Sequence, residues 1–310
     1  MRILLATDGS PSAEVALDLL LALPLRPIDH VTVLAVPVHS YTGIGMEGTG
    51  VYFAEICEEE TNAARRVAQD AWQRISGKGL AATARVQEGP APRTIIEVAR
   101  AEGVGLIVMG SRGHGWIAGA LLGSTARAVA RHSAIPVLVA RERSHPPVRI
   151  LIATDGSEDA QLAIRTLAAM PLPPGLEVTL LKVLPQRSPG GAADNAMADE
   201  LRALIERRDR EEALEILSRA HAMLPPGTSA RMELERGGVT ERILETAKAV
   251  GTDLIVIGAR GARLRGDEFL QGSTADHLIE AAHCAVLVAR APEHAKPTRA
   301  DRETVGAATR

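Results

Sequence analysis

Hydrophobic positions along this chain fall into two alternating kinds of run. ILLAT (3–7), VTVLAV (31–36), AATARV (81–86), LIVMG (106–110) and PVLVA (136–140) are short and rich in apolar or β-branched residues, the pattern of strands covered on both faces. Between them the apolar residues recur at helical spacing, in stretches that begin near Pro11, Ala54, Pro92 and Ser124. Strands alternating with helices predict an α/β fold, with parallel strands joined by right-handed crossovers and helices on both faces of the sheet.

The pattern is written twice. RILLATDGS (2–10) returns as RILIATDGS (149–157), and LIVMGSRG (106–113) returns as LIVIGARG (254–261). GSTA (123–126) returns at 272–275, and PVLVAR (136–141) returns as AVLVAR (285–290). Four matches in one order, with nearly constant spacing, predict a duplicated domain: residues 1–141 and 149–291, with a charged, proline-paired linker at 142–148. Residues 292–310 lack apolar periodicity and read as a disordered tail.

Composition narrows the function classes. With 310 residues the chain suits two domains of ordinary size. A net charge of −3 offers no basic field for nucleic acid or an anionic membrane, and 2% aromatic residues leave few platforms for stacked bases. Cys57 and Cys284 lie far apart and outside any CxxC or Cys/His cluster, so neither a disulfide framework nor a zinc site is expected. With no signal-peptide pattern and no bilayer-length apolar segment, the expectation is a soluble cytoplasmic protein without nucleic-acid or membrane partners.

Candidate chemistry gathers after the first and fourth strands of each copy. Ser10 can cap the first helix with Pro11 at its first position, and Ser157 takes the same place ahead of Glu158 and Asp159, whose charges suit a helix N-terminus. Asp8 and Asp155 therefore stand at the carboxyl end of strand 1, either serving their own turn or facing a ligand or metal such as Mg2+. After strand 4 come Gly110, Gly113 and Gly123, then Ser124 and Thr125 where a helix begins. Glycines let backbone N–H groups approach a ligand, and a helix start presents unpaired donors, so the stretch describes an anion cradle; in the plainer alternative Ser124 is an N-cap. No GxGxxG follows strand 1, and no lysine occurs within 109–125, so neither the dinucleotide fingerprint nor a Walker A loop fits.

The spacing Gly110-x2-Gly113-x9-Gly123-Ser124, with ATDGS, LIVMGSRG and IPVLVAR in order and in duplicate over residues 2–290, resembles the ATP-binding pattern of the universal stress protein family. The resemblance implies, in each half, a Rossmann-like five-stranded parallel sheet of order 3-2-1-4-5 with an adenine-nucleotide site at the carboxyl ends of strands 1 and 4. It assigns ribose to Asp8, adenine to the backbone at Val36, phosphates to Gly113, Gly123, Ser124 and Thr125, and the floor to Met109 and Gly110. The matching residues of the second copy are Asp155, Val183, Ile257, Gly258, Gly261, Gly272, Ser273 and Thr274. The implied ligand is ATP, with or without Mg2+, in a stress-response regulator; a slow ATP hydrolase, an adenylyl-transfer enzyme, a cyclic AMP binder and a nucleotide-free scaffold are the alternatives. No base or nucleophile announces itself beside the loop, which favours a binder over an enzyme. Family members commonly dimerise through strand 5, so the halves are expected to pair as an internal pseudo-dimer, with a further homodimer left open.

The copies differ in the loop. Ten residues, not nine, separate Gly261 from Gly272, and they include Asp267 and Glu268 beside Arg263 and Arg265. Added carboxylates repel polyphosphate, so tighter binding is expected in the first domain. Arg112 and Arg260 recur at one place, as ligand contacts or as partners of a local carboxylate. His114 is read as an exposed loop residue ahead of a phosphate contact, Trp116 as a packing residue ahead of a cover for the nucleotide or a subunit contact, and residues 41–53 as a lid over adenine or a disordered loop.

Overall fold

In a computed structural model of the chain, residues 1–37, 50–113, 122–141, 147–186, 196–261 and 273–291 are described. The first repeat contributes β1 (Arg2–Ala6), α1 (Pro11–Ala22), β2 (His30–Ala35), α2 (Gly50–Ser76), β3 (Ala81–Val86), α3 (Ala91–Ala101), β4 (Leu106–Gly110), α4 (Ser124–His132) and β5 (Val137–Ala140). The second contributes β6 (Arg149–Ala153), α5 (Glu158–Ala169), β7 (Glu177–Leu184), α6 (Ala196–Ala222), β8 (Ser229–Arg236), α7 (Val239–Ala249), β9 (Leu254–Gly258), α8 (Ser273–Ala281) and β10 (Ala285–Ala289).

Every strand and helix start read from the first copy is present, with α3 beginning one residue ahead of its Pro92 mark and α2 at Gly50, ahead of its Ala54 mark. Residues 50–53 of the expected lid thus belong to α2, and the rest of that stretch lies outside the described residues.

Each half has the strand order 3-2-1-4-5, and the halves join through β5 and β10 into one ten-stranded sheet, β3-β2-β1-β4-β5-β10-β9-β6-β7-β8. Within a half all pairings are parallel; the β5–β10 seam is antiparallel, with Val137 opposite Val288, Leu138 opposite Leu287 and Val139 opposite Val286. The edges that would be exposed in separate domains cover each other.

Alternation along the strands sends successive side chains to two cores. Leu5, Val108, Leu138, Ile152 and Leu287 pack under the helices α1, α2, α5 and α6, whereas Leu4, Ile107, Val139, Leu151 and Val286 pack under α3, α4, α7 and α8. Both cores run unbroken through the seam. Each fully buried leucine or isoleucine contributes about 1.5–3 kcal/mol relative to exposure.

One polar tie crosses the first half. Glu102, at the carboxyl end of α3, accepts hydrogen bonds from the Thr32 hydroxyl of β2 (2.6 Å) and the Arg85 guanidinium of β3 (2.9 Å). Partial burial alone would raise its pKa, but these two partners outweigh it and hold the carboxyl below the usual glutamate range.

Candidate functional site: the crevices at β1/β4 and β6/β9

Strands β1 and β4 are neighbours, yet the helices that follow them leave for opposite faces, α1 into one core layer and α4 into the other. This divergence opens a crevice at their carboxyl ends. Its wall on the β1 side is the Thr7-Asp8-Gly9-Ser10 turn, where Gly9 takes a left-handed φ of 74°. The Asp8 carboxylate accepts from the Ser10 N–H (3.0 Å), and Ser10 caps α1 through the Ala13 N–H (3.3 Å). Asp8 therefore does serve its own turn, through Oδ1.

The Ser10 hydroxyl also donates to the Arg112 carbonyl (3.3 Å), and the Arg112 N–H donates to the Ser12 hydroxyl (3.0 Å). These contacts lay the loop after β4 over the start of α1. They bring Gly110 and Gly113 so close to it that side chains are excluded: a Cβ on Gly110 would stand 2.4 Å from the Ser12 carbonyl oxygen, and one on Gly113 would stand 2.4 Å from Asp8 Oδ2. Packing requires glycine at 110, where the obstructing atoms are backbone; at 113 the obstacle is the end of the Asp8 side chain.

At the far side of the loop, Gly123 is the N-cap of α4 and makes no side-chain cap bond; Ser124 is already the first helical residue. The alternative in which Ser124 caps the helix is thereby overturned, because Gly123 itself supplies the extended backbone. The first helical acceptor is the Gly123 carbonyl, taken by the Arg127 N–H (3.1 Å), so the N–H groups of Ser124, Thr125 and Ala126 have no partner inside the helix. Ser124 is exposed and Thr125 half-buried, and Met109 and Gly110 at the end of β4 are buried. Val36 follows β2 directly, two residues after Leu34, whose carbonyl accepts from the Thr7 N–H at the end of β1.

The second half repeats this frame. Asp155 Oδ1 accepts from Ser157 N–H (3.0 Å), Ser157 caps α5 and donates to the Arg260 carbonyl (3.2 Å), and a Cβ on Gly261 would lie 3.0 Å from Asp155 Oδ2. A Cβ on Gly258, next to buried Ile257, would lie 2.5 Å from the Ala160 backbone nitrogen. Ser273 and Thr274 open α8. Val183 differs from its counterpart: it lies within β7, in register with Glu235 of β8, because that ladder continues to Leu184 and Arg236. Gly272, with His114, Trp116, Arg263, Arg265, Asp267 and Glu268, lies outside the described residues.

The sharpest difference between the crevices is a residue the sequence reading treated only as helix-end charge. Asp159 occupies the helical position that Ser12 holds in the first half, and it is buried. Its carboxylate accepts from the Arg260 backbone N–H (2.8 Å), from Arg260 Nε and Nη2 (3.0 Å each) and from the Ala291 N–H (2.8 Å). Arg260 also donates to the Ala291 carbonyl (2.5 Å). Of the two readings of the recurring arginine, Arg260 follows the local carboxylate. The exchange of Ser12 for an acid opposite a retained arginine was visible in the aligned repeats. Among the described residues no group of three or more His, Cys, Asp or Glu side chains could hold a metal ion, and no helix is long and apolar enough to cross a membrane.

The family model described as the universal stress protein family matches residues 1–141 and, a second time, residues 148–290. The chain belongs to the universal stress protein family. Among curated members, this tandem universal stress protein is 30% identical over 146 residues to universal stress protein YxiE of Bacillus subtilis, a stretch covering 45% of this chain and 98% of that one. It is 31% identical over 142 residues to universal stress protein Rv2005c of Mycobacterium tuberculosis, 45% of either chain, so the matched stretch spans about half of that relative. A universal stress protein crystal structure from Archaeoglobus fulgidus superimposes with a TM-score of 0.60 at 22% identity, over 94% of this chain and 98% of that one, which is a likeness of fold.

Proposed function

We propose that this universal stress protein is a cytoplasmic, nucleotide-dependent regulator in which each repeat, residues 1–141 and 149–291, is one binding unit, and that the first crevice is the tighter ATP site. The observation that carries the reading is the start of α4, which no side chain caps: it offers three backbone donors at Ser124–Ala126, a helix dipole and a hydroxyl pair, with Gly123 packed on Ser111 and Arg112 and Gly113 against Asp8. Such a start suits a phosphate chain, which accepts from N–H groups and is attracted by the positive helix end. In this reading Gly113 and Gly123 let the backbone approach, Asp8 takes the ribose hydroxyls, and the Val36 backbone takes the adenine edge. In the second crevice Asp155, Val183, Gly258, Gly261, Gly272, Ser273 and Thr274 take the same roles.

Weaker binding in the second half rests on charge. Its loop adds Asp267 and Glu268, and its arginine is neutralised by Asp159. Mg2+ bridging between phosphates and Asp155 or Asp8 would offset the repulsion. The sequence presents no evident base beside the loop, so this reading allows ATP hydrolysis only as a slow by-product.

The deciding experiment is release of the co-purified ligand by denaturation and its identification by mass, followed by calorimetric titration with ATP, with and without Mg2+. ATP in the released fraction and saturable binding at one strong site support the reading. Absence of both from well-folded protein defeats it.

A further inference from the structure

The seam that joins the two halves is self-complementary where its strands meet. The central pair, Leu138 and Leu287, are the same residue of the two repeats, and Val137 with Val288 and Val139 with Val286 are related by the same pseudo-twofold axis. Strand pairing of this kind cannot tell the first half of a chain from the second. Two like halves from different molecules would pair as well as two unlike halves of one, and a tandem protein with two such edges could then assemble into open chains of molecules. Something outside the strands has to choose.

Helices α4 and α8 flank the seam on one face and pack against each other. At equivalent positions of the repeats their charges are reversed: Arg127 and Arg131 on α4 correspond to Asp276 and Glu280 on α8. Arg127 and Glu280 form an ion pair across the seam at 3.0 Å. The axis that generates this contact relates it to Arg131 and Asp276, again of opposite sign. Arg141, at the end of β5, crosses to the last turn of α8 and donates to the carbonyls of Ile279 and Glu280, adding a cation at that helix's negative end.

We infer that α4 and α8 form a charge code that fits the first half of this protein to a second half and rejects a copy of itself. In a first-to-first pairing, four arginines would meet across the axis; in a second-to-second pairing, four carboxylates would. Like charges held together by the apolar strands are the repulsive element that a self-complementary edge needs for specificity. The partner that this surface fits is therefore a second-half domain, supplied by the same chain through its short tether.

Two variants of the full chain test the code. Arg127→Glu/Arg131→Glu makes both helices acidic, and Asp276→Arg/Glu280→Arg makes both basic. Each alone should lose about 2–6 °C in Tm relative to wild type, since the pairs are partly exposed. Refolded together from denaturant, the two variants should form a complex of twice the chain mass, because every acidic helix then finds a basic one in the other molecule. Each refolded alone should give no such complex. Sedimentation velocity and native mass spectrometry read the outcome. Unchanged Tm in both variants would overturn the inference, as would lowered Tm with no complex on co-refolding.

Discussion

The Asp8 carboxylate occupies the space into which any side chain on Gly113 would project, at 2.4 Å from the ideal Cβ position. A residue from the end of β1 and one from the loop after β4 are thus in direct contact, and neither wall of the crevice can change without moving the other. Gly113→Ala should push Asp8 off its turn and lower ATP affinity about tenfold or more, with little loss of stability, because the obstructing atom is the end of a side chain. Gly110→Ala should behave differently. Its Cβ meets the Ser12 backbone at 2.4 Å, which cannot yield as cheaply, and a stability loss of about 1–3 kcal/mol is expected. Calorimetric ATP titration and thermal melts of the pair separate the two effects.

The Asp159–Arg260 clasp stabilises the second half through a carboxylate that stands where the first repeat has Ser12. Replacing Asp159 with serine, the residue of the first repeat, leaves Arg260 without its carboxylate and the Ala291 N–H without its acceptor. Removal of one partner of a buried pair costs about 3–5 kcal/mol, and partial exposure of the guanidinium puts the expected loss at the lower end. Urea unfolding should show it, while Ser12→Ala, which removes neutral hydroxyl contacts, should cost about 1 kcal/mol.

Glu102 gives the first half a defined response to acid. Its folded carboxyl titrates below the usual glutamate range, where Thr32 and Arg85 outweigh the opposing cost of burial. The stabilisation is therefore complete above that range and is lost as pH falls through it toward the lower folded value. Glu102→Gln should lower stability by about 1 kcal/mol at neutral pH and by less near pH 3, so the two unfolding curves converge on acidification. Parallel curves at all pH values would show that Glu102 is not the group responsible.

The frame of this protein was legible because it is local and repeated. Ser10-Pro11 and Ser157 mark helix starts by capping chemistry, LIVMG and LIVIG mark strands by continuous apolar character, and the duplication fixes which elements correspond. The glycines were legible as a cradle, but not as contact points against Ser12 and Asp8, because that packing joins residues about a hundred positions apart. For the same reason Asp159 read as a helix-end charge: its partners, Arg260 and Ala291, come to it only through the fold. The extra pairs that place Val183 inside β7 are likewise a property of the β7–β8 ladder, not of either strand alone.

Of the two cysteines, Cys284 reports on the seam and Cys57 serves as its reference. Cys284 lies immediately before β10, in the core beneath α7 and α8, and burial pushes its thiol up to about 12. At neutral pH it has almost no thiolate and no access to reagent. Cys57 lies half-buried on α2, far from the seam in sequence. Alkylation of the native protein with iodoacetamide should therefore modify Cys57 alone, and both cysteines should react in denaturant. The rate at Cys284 then measures how often β10 and its neighbours open, so it should rise in Arg127→Glu/Arg131→Glu, where the seam is weakened, while the rate at Cys57 stays constant. Peptide mass mapping over a time course distinguishes the sites; equal native rates at both would mean that the second half breathes far more freely than its packing implies.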